Sequence, residues 1–106
     1  MILRVGPLAE DPLDAAAQFH ADILPQVRAA LAAEADLTLV FAPAGHEHRG
    51  WRLSVIQALA RSHAPRRVNA LTGDGEAAIA AAAAWLAEAP GVTGQYLPLD
   101  GSHSFA

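Results

Sequence analysis

Cysteine, a glycine-rich phosphate loop and a long apolar run are all absent from this sequence. Without cysteine, the chain has no disulfide framework, no thiolate nucleophile and no cysteine-ligated zinc. No GxGxxG motif follows any predicted strand, which excludes the usual cradle for a dinucleotide pyrophosphate. The longest apolar stretch, Ala77 to Ala87, is too short to span a bilayer. These absences favour a soluble domain without a nucleotide-binding fingerprint.

Positive charge is also scarce. The formal net charge is -4, which argues against nucleic acid or an anionic membrane as the main partner. The first residues show no basic segment followed by a long apolar run, so no signal peptide is indicated. Together with the lack of cysteine, this pattern predicts a cytoplasmic protein.

Apolar residues dominate what is present. They make up 53% of the 106 positions, against 17% for charged residues, a balance typical of a globular chain. Alanine alone occupies 26 positions, which favours helices and closely packed interfaces. The length suits a single domain, residues 1–106.

Four short apolar segments alternate with three helical patterns. The predicted strands are Ile2 to Val5, Leu37 to Ala42, Arg67 to Leu71 and Gln95 to Leu99, and the predicted helices run from Pro12 through Leu31, from Gly50 to His63 and from Glu76 to Glu88. Because the connections are short, the order β-α-β-α-β-α-β predicts an α/β fold with four parallel strands.

The first predicted helix carries two apolar stripes. Asp11 is placed to cap it and Pro12 to occupy its first turn, while Pro25 is expected to bend it. One stripe contains Leu13, Ala16, Ala17, Leu24, Val27 and Leu31, with His20 between them, and the other contains Phe19, Ile23 and Ala30. Two stripes indicate that this helix touches two surfaces.

Several segments resemble the C-terminal half of the short-chain dehydrogenase/reductase family. They are "ILPQVRAAL" with "LTLVFAPAG", then "QALARSHAPRRVNA", then an alanine-rich helix and "VTGQYLPLDG", in that family's order. The resemblance covers almost the whole chain but only the second half of a family member. It implies a truncated Rossmann-like fold, with residues 1–106 forming one half-Rossmann domain.

The catalytic set of that family has no counterpart in the sequence. Members use a Tyr, a Lys four residues later and a Ser, whereas this chain has no lysine and its only tyrosine, Tyr96, lies in the last predicted strand. Alignment on "APRRVNA" puts Gly45 near the Tyr position, Arg49 near the Lys position and Ala42 near the Ser position. An arginine does not deprotonate readily enough to replace the lysine. The resemblance therefore implies a degenerate member with no catalytic residues, no cofactor-binding residues and no cofactor.

The segment "GHEHR", Gly45 to Arg49, is the most polar part of the chain. It follows a predicted strand, where parallel sheets bind ligands, and two histidines beside a carboxylate, with His20 nearby, suit Zn or Fe(II). We favour a solvated loop at a helix start and no metal, because a two-residue histidine spacing is a weak signal. The residues expected to border a ligand cleft are His46, Glu47, His48, Arg49, Asn69 and Asp74.

Other polar and aromatic residues are interpreted structurally. Arg49, Arg52, Arg61, Arg66 and Arg67 bracket the second helix and favour a solvated face with helix-dipole partners over an anion site. Trp51 and Trp85 are interpreted as packing residues, and His20 as a buried or interface residue bonded to backbone. Ser54 and Ser102 lack the nucleophile elbow of a hydrolase.

These observations favour a non-catalytic module for oligomerisation or partner binding. The alternatives are a small-molecule or nucleotide-binding protein that uses the cleft at the C-terminal strand ends, and an enzyme of new chemistry centred on His46, Glu47 and His48. We expect a homodimer or tetramer, or an unknown protein partner. The resembled family pairs the matching helices into a four-helix bundle, which implies an interface at Phe19, Ile23 and Trp51. The other candidate contact is a bare sheet face that exposes Val40, beside the open edge of the first strand.

Overall fold

A computed structural model of the chain describes residues 1–33 and 35–99. Its strands are β1 (Ile2–Arg4), β2 (Leu37–Phe41), β3 (Val68–Thr72) and β4 (Tyr96–Pro98), and its α-helices are α1 (Pro12–Gln18), α2 (Leu24–Ala32), α3 (Arg49–Ser62) and α4 (Glu76–Ala87). All strands are parallel and lie in the order β1-β2-β3-β4. The predicted α/β fold with four parallel strands is confirmed, and β1 is an edge strand as expected.

Alternate residues of the strands face two separate hydrophobic layers. Phe41 and Ala70 belong to the layer under α1, α2 and α3, whereas Val40 and Leu71 pack under α4. Each new strand is added at the same edge of the sheet, beside the strand that precedes it in the sequence. However, α4 lies on the opposite face of the sheet from α3. The connection through α4 therefore has the opposite hand to the connection through α3. Parallel connections are nearly always right-handed, so one of these two connections departs from the usual hand.

The first predicted helix begins as expected and then changes its pitch. Asp11 caps α1 by accepting a hydrogen bond from the N–H three residues later at 3.1 Å, and Pro12 follows it in the first turn. Residues Phe19–Ile23 then form a π-helical turn, in which the N–H of Leu24 reaches back to the carbonyl of Phe19. The irregularity expected at Pro25 takes the form of this wide turn just before it. Proline has no N–H with which to continue the α-helical ladder.

The π turn changes which residues face the sheet. The buried residues of this region are Ala15, Phe19, Val27 and Leu31, with Ile23 half-buried. In a regular α-helix a spacing of four residues drifts by about 40° per step, and the wider turn absorbs part of that drift. Leu13 is 81% exposed, and His20 is exposed with its Nδ1 2.7 Å from the carbonyl oxygen of Ala16. The predicted main stripe is wrong in the first half of the region because it assumed a regular α-helical pitch through Phe19–Ile23.

Candidate functional site

The loop between β2 and α3 is anchored to the protein by a histidine. His46, Glu47 and His48 form a short 3-10 turn that leads into α3. His48 is 4% exposed, and its Nδ1 accepts a hydrogen bond from the indole N–H of Trp51 at 3.1 Å. The ring proton therefore lies on Nε2, which donates to the carbonyl oxygen of Glu10 at 2.9 Å. Both ring nitrogens are used within the fold.

The prediction of a solvated loop holds for only part of this segment. His46, Glu47 and Arg49 are exposed, whereas His48 is buried and ties the loop to the segment before α1. A metal ligand needs a free lone pair, and His48 offers none in this arrangement. Within residues 1–33 and 35–99, no group of three His, Cys, Asp or Glu side chains could hold a metal ion.

Arg52 lies at the C-terminal ends of β2 and β3 on the α3 face, where it also reaches the side chain of the first residue of β4. Its Nη1 lies 3.1 Å from the carbonyl oxygen of Ala42, 3.3 Å from Oγ1 of Thr72 and 3.2 Å from the hydroxyl oxygen of Tyr96. Its guanidinium carbon lies 4.6 Å from the centre of the Phe41 ring. Parallel α/β sheets usually receive ligands at this end of their strands. Here a side chain of the protein occupies that position.

The interpretation of Arg52 as part of a solvated face is wrong, because its side chain is 4% exposed. The helical pattern contained the signal: Arg52 precedes Val55 and Ile56 by three and four residues, on the buried stripe of α3. None of the ion pairs formed among the described residues involves its guanidinium, and its buried Nε has no hydrogen-bond acceptor. Neutral oxygens and the Phe41 and Trp51 rings surround the charge instead.

Asn69 lies at the opposite end of β3 from the predicted cleft. It is the second residue of that strand and is 2% exposed. Its Nδ2 donates to the carbonyl oxygen of Val92 at 3.0 Å, and its Oδ1 accepts from the N–H of Gln95 at 3.1 Å. The structure therefore does not place Asn69 with Asp74, and its amide links β3 to the segment before β4.

The contact between the start of β3 and the segment before β4 explains why two of the motifs that resemble the family occur together in this sequence. In "RVNA" and "VTGQ", Val68 donates its N–H to Oγ1 of Thr93 at 3.0 Å and accepts from the N–H of Gly94 at 2.8 Å. Gly94 has φ 74°, a left-handed conformation that glycine adopts without steric cost. With the two bonds of Asn69, these contacts clamp the start of β3 to the start of β4. The motifs therefore serve the fold of this chain.

A small depression lies at the C-terminal strand ends on the α4 face. Its volume is about 240 Å³, and Arg4, Val40, Asp74 and Glu76 contribute to its lining. Nη2 of Arg4 and Oε2 of Glu76 lie 2.8 Å apart beside it. Of the six predicted cleft residues, Asp74 alone lines this depression. Ligand pockets typically measure about 300–1,000 Å³, so the space is small for a dinucleotide.

The residues predicted to form a dimer contact pack inside the chain. Phe19 is 0% exposed, and its ring centre lies 5.8 Å from that of Phe41 and 5.6 Å from that of Trp51. Ile23 and Trp51 are half-buried against the same core. The prediction that the apolar stripe containing Phe19 and Ile23 has nothing to pack against within the chain is wrong, because the π turn directs this stripe onto β2. The four-helix bundle that the family resemblance implies would therefore lack the side-chain contact predicted for it.

The helix α4 presents an uncharged surface to the outside. Its sequence, EAAIAAAAAWLA, contains no charged residue after Glu76. The inner side chains Ile79, Ala82 and Leu86 pack on the sheet. The exposed alanines are Ala77, Ala80, Ala81, Ala84 and Ala87. A helix that is apolar on all sides is normally buried on all sides, and this one is covered on one side by its own sheet.

An open groove runs between α4 and β1, and we call it the α4 groove. It encloses about 690 Å³ between Met1, Ile2 and Thr38 on the strand side and Ala80, Ala83, Ala84 and Ala87 on the helix side. Met1 is 64% and Ile2 47% exposed. Val40 is 4% exposed beneath α4, so the expectation that Val40 faces water is wrong. The bare part of this sheet face lies over β1 instead.

Asp36 and Arg67 lie at the N-terminal strand end of the groove. The Asp36 carboxylate accepts from the backbone N–H of Arg67 at 2.8 Å and from its Nε at 3.0 Å. Nη1 of Arg67 donates to the carbonyl oxygens of Leu86 and Ala89 at the end of α4, each at 2.8 Å. The pKa of Asp36 lies below its ordinary 3.8, mainly because its carboxylate accepts a hydrogen bond from the backbone N–H of Arg67. The Arg67 guanidinium lowers the pKa further, and burial raises it by a smaller amount. Arg67 is a helix-dipole partner, as expected, but of α4 rather than α3.

Comparison with known proteins identifies one family. A family model described as "Short chain dehydrogenase-like protein" matches residues 3–99. No curated protein and no solved structure gives a significant match. The matched span contains all four strands except Ile2, the first residue of β1. Ser102, considered above for a hydrolase, lies outside the described residues.

Proposed function

The chain belongs to the short chain dehydrogenase-like family, and from that premise we propose that it is a non-catalytic member that acts as an oligomerisation or partner-binding module. In this role the protein keeps the sheet and helices of the family fold and uses an outer surface of that fold. Its lack of cysteine suits the reducing cytoplasm, where we place its activity.

Dehydrogenase chemistry lacks its reacting groups in these residues. The sequence contains no lysine, and Tyr96, its one tyrosine, lies within hydrogen-bonding distance of buried Arg52. Gly45 and Arg49, which align with the family's Tyr and Lys positions, lie on either side of the short turn that leads into α3. The family chemistry requires a proton donor whose pKa is lowered by a neighbouring ammonium group. These side chains do not form such a pair.

The apolar surface at the α4 groove carries the proposal. Soluble monomers rarely expose contiguous apolar patches of more than a few hundred Å². Here a helix surface of five alanines continues into exposed Met1 and Ile2 at an edge strand. An edge strand beside an apolar groove is a surface that another polypeptide can cover.

Size-exclusion chromatography with light scattering tests the proposal directly. The expected mass is two or four times 11.0 kDa, and calorimetry should detect no micromolar binding of NAD or NADP. An 11.0 kDa monomer at high micromolar concentration would contradict self-association. Tight dinucleotide binding by the isolated chain would contradict the non-catalytic assignment.

A second candidate function is the binding of a small molecule at the C-terminal strand ends. It is supported by the depression lined by Asp74, which lies where parallel sheets bind ligands. A thermal-shift screen with nucleotides, coenzyme A derivatives and divalent metals tests it. A rise in melting temperature that Asp74→Ala abolishes would favour this function over the first.

A further inference from the structure

We propose that the free edge of β1 receives an extended segment of a partner protein, which adds a strand to the four-stranded sheet and places apolar side chains in the α4 groove. The inference rests on the proposed function, in its partner-binding form, and names the chemistry of the partner. The edge of β1 binds the backbone of the segment, and the groove binds its alternate side chains.

The backbone groups on the free edge of β1 belong to Ile2 and Arg4. The carbonyl of Met1 and the N–H of Val5 both bond to β2, each at 2.9 Å. Successive residues of a strand direct their backbone groups to opposite sides, so Leu3 also faces β2. Ile2 and Arg4 therefore direct two N–H and two C=O groups away from the sheet, and both residues are exposed. An extended polypeptide matches such a row of donors and acceptors.

A proline blocks the other edge of the sheet. The carbonyl of Gln95 and the N–H of Leu99 bond to β3, each at 2.8 Å, so Tyr96 and Pro98 face the free edge of β4. Proline has no N–H to donate, and a proline on an edge strand hinders the addition of another strand. The two edges therefore differ, and the open edge adjoins the α4 groove.

The α4 groove receives the side chains on one face of the added strand. Ile2 is 47% exposed and lines the groove, and every second side chain of a strand beside it lies on the same face. Val40 of β2 is already covered by α4, so the open space lies over β1 and beyond its edge. Ala80 and Ala84 form the helix wall of that space. The partner segment is therefore apolar at alternate positions.

The charged groups around the groove are already paired within the chain. Among the described lining residues, the charged side chains are Asp36 and Arg67, which bond each other at 3.0 Å. At the opposite end, Arg4 and Glu76 form a second pair at 2.8 Å. A charged side chain of the partner would lose its hydration in the groove without gaining an unpaired counter-charge. The groove therefore favours uncharged side chains.

The length of α4 sets the length of the segment. With 12 residues, α4 is about 18 Å long at 1.5 Å per residue. An extended chain rises about 3.3 Å per residue, so about five residues run along the whole helix. Stable interfaces bury about 1,200–2,000 Å² in total, which is more than a segment of this length covers. We therefore expect an isolated segment to bind with a high micromolar dissociation constant.

A second copy of the chain offers a poorer strand than another polypeptide does. Among its described strands, β2 and β3 lie inside the sheet, and β4 is blocked at its free edge by Pro98. Its β1 has three residues, and Arg4 would bring a charged side chain to the apolar face. These features favour a different protein with a longer alternating segment.

The first test uses a synthetic peptide, Lys-Val-Thr-Val-Thr-Val-Lys, labelled with fluorescein at its N-terminus and amidated at its C-terminus. We call it the valine peptide. Its valines alternate as the groove requires, and fluorescence anisotropy should show saturable binding at high micromolar protein. A control peptide of the same composition, Lys-Val-Val-Thr-Thr-Val-Lys, should bind at least about fivefold more weakly, because its valines do not share one face of a strand.

N-methylation of the valine peptide tests the backbone pairing. Successive N–H groups point to opposite sides of a strand, so either the valine or the threonine N–H groups face β1. Methylation of one set should weaken binding by at least about tenfold, and methylation of the other set by less than about threefold. Equal effects of the two modifications would overturn the edge pairing.

Two variants test the protein side of the contact. Ile2→Pro removes an outward N–H, as Pro98 does at the other edge, and leaves the bonds to β2 in place. Ala84→Glu places a carboxylate on the groove wall, at a position that is exposed in the single chain. Each variant should remain folded by circular dichroism and bind the valine peptide at least about tenfold more weakly. Ala58→Glu, at an exposed alanine of α3, is the matched control and should leave binding unchanged.

The outcomes separate this inference from the proposed function. If the valine peptide does not bind, or binds equally well to Ala84→Glu, the added strand is wrong, and a dimer in light scattering would still support the oligomerisation module. If the peptide dissociates a wild-type dimer, a second copy occupies the edge and the choice of partner is wrong. A chain that neither self-associates nor binds the peptide would contradict both. If Ile2→Pro unfolds the chain, the two methylated peptides decide the edge pairing.

Discussion

Replacing Phe19 with alanine tests whether its stripe belongs to the core or to an interface. Phe19 is fully buried within one chain between Phe41 and Trp51. Truncation of a buried phenylalanine costs about 3–5 kcal/mol, because apolar contact is lost and a cavity remains. Domains of this size unfold with a total free energy of about 5–15 kcal/mol. We therefore expect Phe19→Ala to remove a large part of the stability.

Urea denaturation followed by tryptophan fluorescence measures this loss. At about 4 °C per kcal/mol for a domain of this length, the melting temperature should fall by about 12–20 °C. Leu13→Ala on the same helix is the control, since Leu13 is 81% exposed, and it should change stability by less than about 0.5 kcal/mol. All proteins must be compared at one concentration, because association adds stability by mass action.

The opposite pattern would refute the reasoning. If Phe19→Ala kept the stability of the single chain and halved the mass in solution, Phe19 would lie between subunits. The helix bundle would then replace the α4 groove as the surface for association.

Three further perturbations probe separate features of the fold. Arg52→Lys should lower the unfolding free energy by about 1–3 kcal/mol, because an ammonium does not reproduce the planar, ring-stacked guanidinium; Arg61→Lys, at an exposed position, should change it by less than about 0.5 kcal/mol. Asp36→Asn should destabilise the protein at neutral pH, and its difference from the wild type should vanish well below pH 3.8. The folded pKa of Asp36 is depressed below that value, so its stabilisation is present above it and lost in acid. Excess EDTA should leave the melting curve unchanged, since removal of a structural metal would cost much of the fold.

The parallel α/β architecture and most element boundaries could be predicted from the sequence because they depend on local patterns. Short apolar segments that alternate with helical patterns predict a parallel sheet. This prediction does not depend on which side chains lie at the ends of the strands. Asp11 and Pro12 marked the first helix start for the same reason, since a cap acts within one turn. These features need no knowledge of distant contacts.

The candidate site was less predictable because it depends on contacts between distant residues. His48 is buried by the segment that contains Glu10, and Arg52 is held by the ends of β2, β3 and β4. Charged and polar residues of these types are usually exposed, so a sequence pattern alone favours the wrong environment. The π turn at Phe19–Ile23 had a similar effect. One change of pitch moved Phe19 from a predicted interface into the core.

Hydrogen exchange of α4 and β1 tests the central claim most directly. Association through the α4 groove, with a second copy at high micromolar protein or with the valine peptide, should slow exchange in α4 and β1, while exchange in α1 and α3 stays the same. The comparison reports both what the chain associates with and which surface it uses. Exchange that neither condition changes, or protection confined to α1 and α3, would contradict the account.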